Sequence, residues 1–139
     1  MPVERAMLTQ FEALSPINSL RYVSQLVLAG SQQEFPVVEN GKPIGLVTRA
    51  DLFTALTQYG PLGFVSQAMR RDFATIETSD PLTAAAEKLH TGQARSLIVL
   101  RDGQLAGLLT LENAQEFALI QAALEKNVSG DKIEAMRMT

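Results

Sequence analysis

Apolar residues recur along this chain in two rhythms. Leu20, Val23, Leu26 and Val27 follow the three-and-four spacing of an amphipathic helix, and Leu82, Ala85, Ala86 and Leu89 repeat the stripe. Asn18 and Asp80 precede the two stripes as expected N-caps, Pro81 suits a first helical turn, and Gly30 and Gly92 follow as C-terminal caps. After each glycine, two short apolar runs flank a tight polar turn. These are Phe35–Glu39 and Pro43–Thr48 around Asn40-Gly41, and Leu97–Leu100 and Gln104–Thr110 around Asp102-Gly103. Both predict β-hairpins, because the central residues of a type I′ turn need positive φ. A second helix is expected after each hairpin, from Arg49 to about Tyr59 and from Leu111 to about Lys126. Short extended segments at Ala13–Ser15 and Thr75–Glu77 complete a β-α-β-β-α order, twice.

The duplication extends to individual residues. A gap-free shift of 62 positions carries Val3, Ala6, Met7 and Phe11 onto Val65, Ala68, Met69 and Phe73. It also carries Leu20 and Gly30 onto Leu82 and Gly92, and Val37, Gly41, Gly45, Leu46 and Thr48 onto Val99, Gly103, Gly107, Leu108 and Thr110. An internal period of this length marks repeated structural units. The expectation is an α+β chain in which residues 1–62 and 63–124 are copies packed through their sheets, neither with a sufficient core alone. Residues 125–139 form a tail, expected to be frayed or linker-like beyond Ser129-Gly130, although Ile133 and Met136 suit a longer helix. Ala114, Phe117, Ala118 and Leu124 give the last helix more apolar surface than one small sheet needs.

Composition narrows the chemistry. The 139 residues are 46% hydrophobic and include no cysteine and one histidine, His90. Thiol catalysis, cysteine-ligated zinc, iron–sulfur clusters, disulfide scaffolds and multi-histidine zinc sites are excluded. A Ser-His-Asp triad is arithmetically open, but His90 stands near a helix end, with no serine in a nucleophile elbow and no metal-spaced carboxylates. No enzyme activity, cofactor or metal is expected. The net charge of −3 argues against a domain built chiefly to hold nucleic acid, and Arg70-Arg71 reads as a solvated basic step. No apolar run approaches membrane-spanning length and the N-terminus lacks a signal peptide's apolar core, so the expected location is cytoplasmic, with no direct membrane contact.

Two glycine-bearing motifs in register carry a family resemblance. They are Phe35-Pro-Val-Val-Glu-Asn-Gly41 with Gly45-Leu-Val-Thr-Arg-Ala-Asp51, and Leu97-Ile-Val-Leu-Arg-Asp-Gly103 with Gly107-Leu-Leu-Thr-Leu-Glu-Asn113. Over residues 1 to about 124 the chain resembles a tandem pair of CBS domains. The resemblance implies a non-enzymatic regulatory module that binds an adenosine-containing ligand of the AMP, ADP, ATP or S-adenosylmethionine class. By that likeness Thr48 and Thr110 would contact phosphate, Asp51 and Asn113 ribose hydroxyls, and Arg95 phosphates, with Arg49 close to the first site. Phe35, Pro36 and Val37 would line an adenine slot in the first copy, and Ile76, Leu97 and Ile98 one in the second.

The residues also admit plainer readings. A strand-to-helix junction suits a phosphorylated ligand, since the helix N-terminus offers free N–H groups and a positive dipole end. Yet Thr-x-x-Asp at a helix start is also a capping box, and Gly45 and Gly107 serve equally to let the copies pack closely. Apolar strand residues are core more often than ligand slot, and Arg95 reads as well as a surface cation. The copies are chemically unequal: Glu34 leads into the first hairpin where the second has its Arg95 nearby, and Asn113 stands where the first copy has Asp51.

A narrower likeness is carried by Gly30-Ser-Gln-Gln-Glu-Phe-Pro-Val-Val38 and Thr110-Leu-Glu-Asn-Ala-Gln-Glu-Phe117, which resemble the C-terminal CBS pair of some bacterial site-2-type membrane zinc proteases. It implies a detached regulatory part of a membrane protein, lacking the His-Glu-x-x-His motif. CBS pairs assemble as disc-shaped homodimers, so a homodimer is expected here. The alternative function is a dimerisation or protein-interaction module that needs no ligand.

Overall fold

The computed structural model describes residues 1–92 and 95–138, with side chains followed as far as Lys126. In chain order the elements are α1 (Leu20–Ala29), β1 (Glu34–Glu39), β2 (Lys42–Thr48), α2 (Arg49–Tyr59), the single turn α3 (Val65–Ala68), β3 (Thr75–Glu77), α4 (Leu82–His90), β4 (Ser96–Arg101), β5 (Gln104–Thr110) and α5 (Leu111–Met138). The α+β expectation holds and the α-β-β-α order is doubled, but only the second copy has the leading strand. The last helix does not stop near Lys126; its backbone stays helical through the segment expected to fray.

Helix starts differ from the expectation by one residue, for a local reason. Asn18 does not cap α1: its Oδ1 accepts from Ser15 N at 2.7 Å, closing the turn before the helix. Ser19 takes the cap, its hydroxyl accepting from Tyr22 N at 3.1 Å. Asp80 makes the same turn, accepting from Glu77 N at 3.0 Å, and Pro81 occupies the N-cap of α4. A short polar side chain one position further back thus bonds the backbone behind it instead of the helix ahead. At the other end Gly30 caps α1 in an extended conformation, and Gly92 lies one residue past the cap of α4 with φ +80°.

Both hairpins form as the turn residues require. Asn40 and Gly41 have φ of 54° and 80°, and Asp102 and Gly103 have 54° and 77°. Each ladder shifts register once, between Val37 and Val38 and between Val99 and Leu100, so Gly45 faces Val37 and Gly107 faces Val99. β3 joins β4 in parallel, making a three-stranded sheet. Its counterpart in the first copy shrinks to a single parallel bridge, Leu14 to Val37, so no strand forms over Ala13–Ser15.

The leading segments of the two copies are exchanged. Val3 and Ala6 are buried not with their own copy but among Ile76, Ala85, Leu89, Leu97, Val99, Leu109 and Ala114. Reciprocally, Val65 of α3 fills a core made of Leu14, Leu20, Val23, Phe35, Val37, Val47, Leu52 and Ala55. Leu8 bridges Leu108 of β5, and Arg70 bridges Leu46 of β2. Glycine makes these approaches fit: a side chain at Gly107 would lie 2.7 Å from Leu8 O, and one at Gly45 would lie 2.6 Å from Met69 Sδ. Between the sheets, Leu46, Ile98 and Leu108 form a third apolar cluster, flanked by Phe11 and Phe73. The copies therefore pack through their sheets, about a pseudo-two-fold axis.

Candidate functional site

Each strand-to-helix junction sits beside this axis. At the first, β2 ends on Thr48 and α2 begins. Thr48 Oγ1 accepts from Asp51 N at 3.0 Å, and Asp51 Oδ2 accepts from Thr48 N at 3.1 Å, a reciprocal capping box. The exchanged segment then delivers Arg70 to the same carboxylate. Its Nε and one terminal nitrogen each lie 2.9 Å from Asp51, a two-pronged ion pair. Burial pushes the Asp51 carboxyl up, but the hydrogen bonds from Arg70 and Thr48 outweigh that and hold its pKa below the usual 3.8. Arg70 is pushed up in turn by its hydrogen bond and attraction to Asp51, with further contributions from Glu34 and Asp72. The expected ribose acceptor is thus already engaged, and Arg70 is no free surface cation. Arg49 turns away to the loop before β1, donating to Gln32 O at 3.2 Å and Gly30 O at 3.4 Å.

The second junction repeats the cap with a different answer. Thr110 N and Thr110 Oγ1 both donate to Asn113 Oδ1, and Asn113 N donates back to Thr110 Oγ1 at 3.0 Å. The position equivalent to Arg70 is Leu8, and among the described residues no cation hydrogen-bonds this side chain. An amide stands there instead, and its Nδ2 donates to Ala6 O at 2.7 Å. An amide at this position suits a junction that has no guanidinium partner. The Asn113 amide keeps one N–H and the Thr110 hydroxyl one lone pair for another molecule.

Beside Thr110 and Asn113 lies a cleft of about 1230 Å³ between the copies. Its floor includes Leu8, Phe11 and Leu108, and its far wall Gln32, Glu34 and Phe35 of the first copy. The volume suffices for a mononucleoside, and the lining mixes an apolar floor with polar groups. Glu34 and Ser96, equivalent positions, meet across the axis, the serine hydroxyl donating to the carboxylate.

Of the expected site residues, the cleft brings together Thr110, Asn113 and Arg95; Phe35 borders it but is 1% exposed and packed in the first copy's core. Thr48, Asp51 and Arg49 stand at the other junction. Val37, Ile76, Leu97 and Ile98 are between 0% and 4% exposed and lie inside the hydrophobic clusters. They are core, not slot. Pro36 is buried too, its carbonyl accepting from Leu14 N at 2.8 Å. Arg70, Ser96, Phe11 and Gln32 were not anticipated. The 62-residue shift sets Arg70 against Leu8 and so marks an unequal position, but not its pairing with Asp51. Among the described residues no cluster of three His, Asp or Glu side chains is placed to hold a metal, and no helix is long and apolar enough to cross a membrane.

The CBS domain family matches residues 3–58 and 65–118. Among solved structures the chain is similar to AcuB from Vibrio cholerae, at 21% identity and TM-score 0.83, covering 91% of this chain and 96% of that one. It is similar also to CBSX2 of Arabidopsis thaliana in complex with AMP, at 24% identity and TM-score 0.77, covering 87% and 98%. The CBS domain pair of MJ0100, in complex with 5′-methylthioadenosine and S-adenosyl-L-methionine, matches at 18% identity and TM-score 0.70, covering 87% and 98%. No curated protein matches the sequence. CBS pairs are regulatory, non-catalytic modules. The twofold family match, the exchanged leading segments and the paired junctions place this chain in the CBS domain family, as a tandem pair.

Proposed function

We propose that the chain is a regulatory CBS pair that takes one adenosine-type ligand in the cleft at the Thr110–Asn113 junction. The observation that carries this reading is the inequality of the junctions. At one, Asp51 is engaged by the Arg70 ion pair, and the other borders a cleft large enough for a nucleoside. Related folds that hold AMP, or 5′-methylthioadenosine and S-adenosyl-L-methionine, support the ligand class. A bound nucleoside would touch Gln32 of one copy and Thr110 and Asn113 of the other. It would therefore favour one relative arrangement of the copies, and only such differential affinity can pass a signal onward.

The regulated output is a partner or attached protein, and the likeness of residues 30–38 and 110–117 to site-2-type protease regulatory pairs makes a membrane protease the first candidate. Leu119, Ile120 and Leu124 stand exposed on α5 and supply the face by which two chains pair. Scattering across a concentration series should report a dimer; a monomer throughout removes that part. Calorimetry with AMP, ATP, 5′-methylthioadenosine and S-adenosylmethionine tests the ligand. Binding of one ligand per chain, weakened by Asn113→Ala but not by Asp51→Asn, is expected. No binding at millimolar ligand refutes the sensing function and leaves the dimerisation module.

A further inference from the structure

The cleft and the first junction differ in charge. Glu12, Glu34, Glu112 and Glu116 line the cleft, and Arg95 is the one cation among its described lining residues. Under the 62-residue shift, Glu12, Glu112 and Glu116 correspond to Ala74, Ala50 and Thr54, so three of these carboxylates are private to the cleft. Conversely, Leu8 and Leu111 of the cleft wall correspond to Arg70 and Arg49.

Position makes the imbalance effective. Glu112 lies in the first turn of α5, where the helix N-terminus would otherwise attract an anion, and Glu116 follows one turn later on the same side. Across the cleft, Glu34 is held by the Ser96 hydroxyl. The wall bearing Glu12 is fixed by Gln32, which donates to Glu12 O at 2.9 Å and accepts from Glu12 N at 2.8 Å. A phosphate placed here meets carboxylates on several sides against one lining cation, Arg95, with Arg49 behind the Gly30–Gln32 wall.

Building on the reading of this cleft as the ligand site, we propose that it selects a cationic adenosyl ligand, an adenosyl sulfonium, against adenine nucleotides. S-Adenosylmethionine carries its sulfonium on the 5′ carbon that bears the phosphate of AMP, so the two ligands place opposite charge at one point of a shared nucleoside. 5′-Methylthioadenosine places none there and is the neutral reference. A unit of like charge in a half-screened cleft costs on the order of tenfold in affinity, and salt reduces the effect.

Calorimetry on the intact chain at low salt should rank S-adenosylmethionine tightest, then 5′-methylthioadenosine, then AMP, with ATP weakest and about tenfold between successive charge classes. The double variant E112Q/E116Q removes two exposed carboxylates outside the caps. It should narrow the ratio of S-adenosylmethionine to AMP affinity about tenfold with an unchanged melting temperature, and about 0.5 M salt should narrow it in wild type. AMP or ATP binding as tightly as 5′-methylthioadenosine, or a ratio unmoved in the variant, overturns the charge selection while leaving the ligand site in place. No binding by any nucleoside overturns both.

Discussion

Asp51 offers the sharpest trial of the reasoning, because a ribose acceptor and a structural acid respond differently to substitution. Asp51→Ala removes the reciprocal bond to Thr48 N, worth about 1 kcal/mol at a helix start. It also removes the pair with Arg70. That guanidinium is 53% exposed, so its two bonds are discounted to about 0.5–1 kcal/mol. Together they predict a loss of about 1.5–2 kcal/mol. Asp51→Asn keeps an oxygen for Thr48 N, as Asn113 does for Thr110 N, and should lose only the ion-pair share, about 0.5–1 kcal/mol. Arg70→Leu, which imports the residue of the other copy, should cost about the same alone and almost nothing on the Asp51→Asn background. Urea unfolding of wild type, Asp51→Asn, Arg70→Leu and their double variant gives the cycle directly, with Asp51→Ala measured beside them. An Asn variant as costly as the Ala variant would refute the capping argument, and additive losses would refute the pair. Nucleoside binding should stay within about twofold of wild type; its abolition would move the ligand to the first junction.

Two further outcomes follow. Because the Asp51 pKa is lowered on folding, its contribution is complete above the unfolded value near 3.8 and is lost as pH falls through the lowered folded value. The stability gap between wild type and Asp51→Asn, read by urea unfolding, should therefore close on acidification below that point; a gap constant from neutral pH to acid contradicts the assignment. Gly107→Ala should destabilise more than Gly45→Ala, by about 2–4 kcal/mol against about 1–2 kcal/mol. The first pushes a methyl into a backbone carbonyl that accepts from Leu108 N, and the second chiefly displaces a flexible methionine. Equal melting temperatures for the two variants would show that the exchanged segments are not tightly seated.

The elements were legible wherever a local rule decided them. Asn40-Gly41 and Asp102-Gly103 specify their turns by positive φ alone, and the stripes led by Leu20 and Leu82 specify helices by spacing. The site was only partly legible, because it is made by packing. An apolar strand residue such as Val37 or Leu97 reads alike whether it faces a core or a ligand, and only the fold shows both at 0% exposure. Arg70 was hidden for another reason. It meets Asp51 only because the segment carrying it pairs with Leu46 on the other copy. Thr110 and Asn113 were identified through the motif, but the opening beside them depends on Leu8, far away in sequence.

The exchange of leading segments makes two copies of equal geometry unequal in time. On the ribosome, the core of the first copy is complete once Val65 has emerged. Val3 and Ala6 emerge before the rest of the pair but have no core to enter until Leu109 and Ala114 appear. The bond from Asn113 to Ala6 spans 107 residues, a wait of roughly 5–20 s at ordinary elongation rates. The cleft beside that bond is therefore completed later than the first junction. Any ligand that stabilises it arrives at a chain whose first half is already folded.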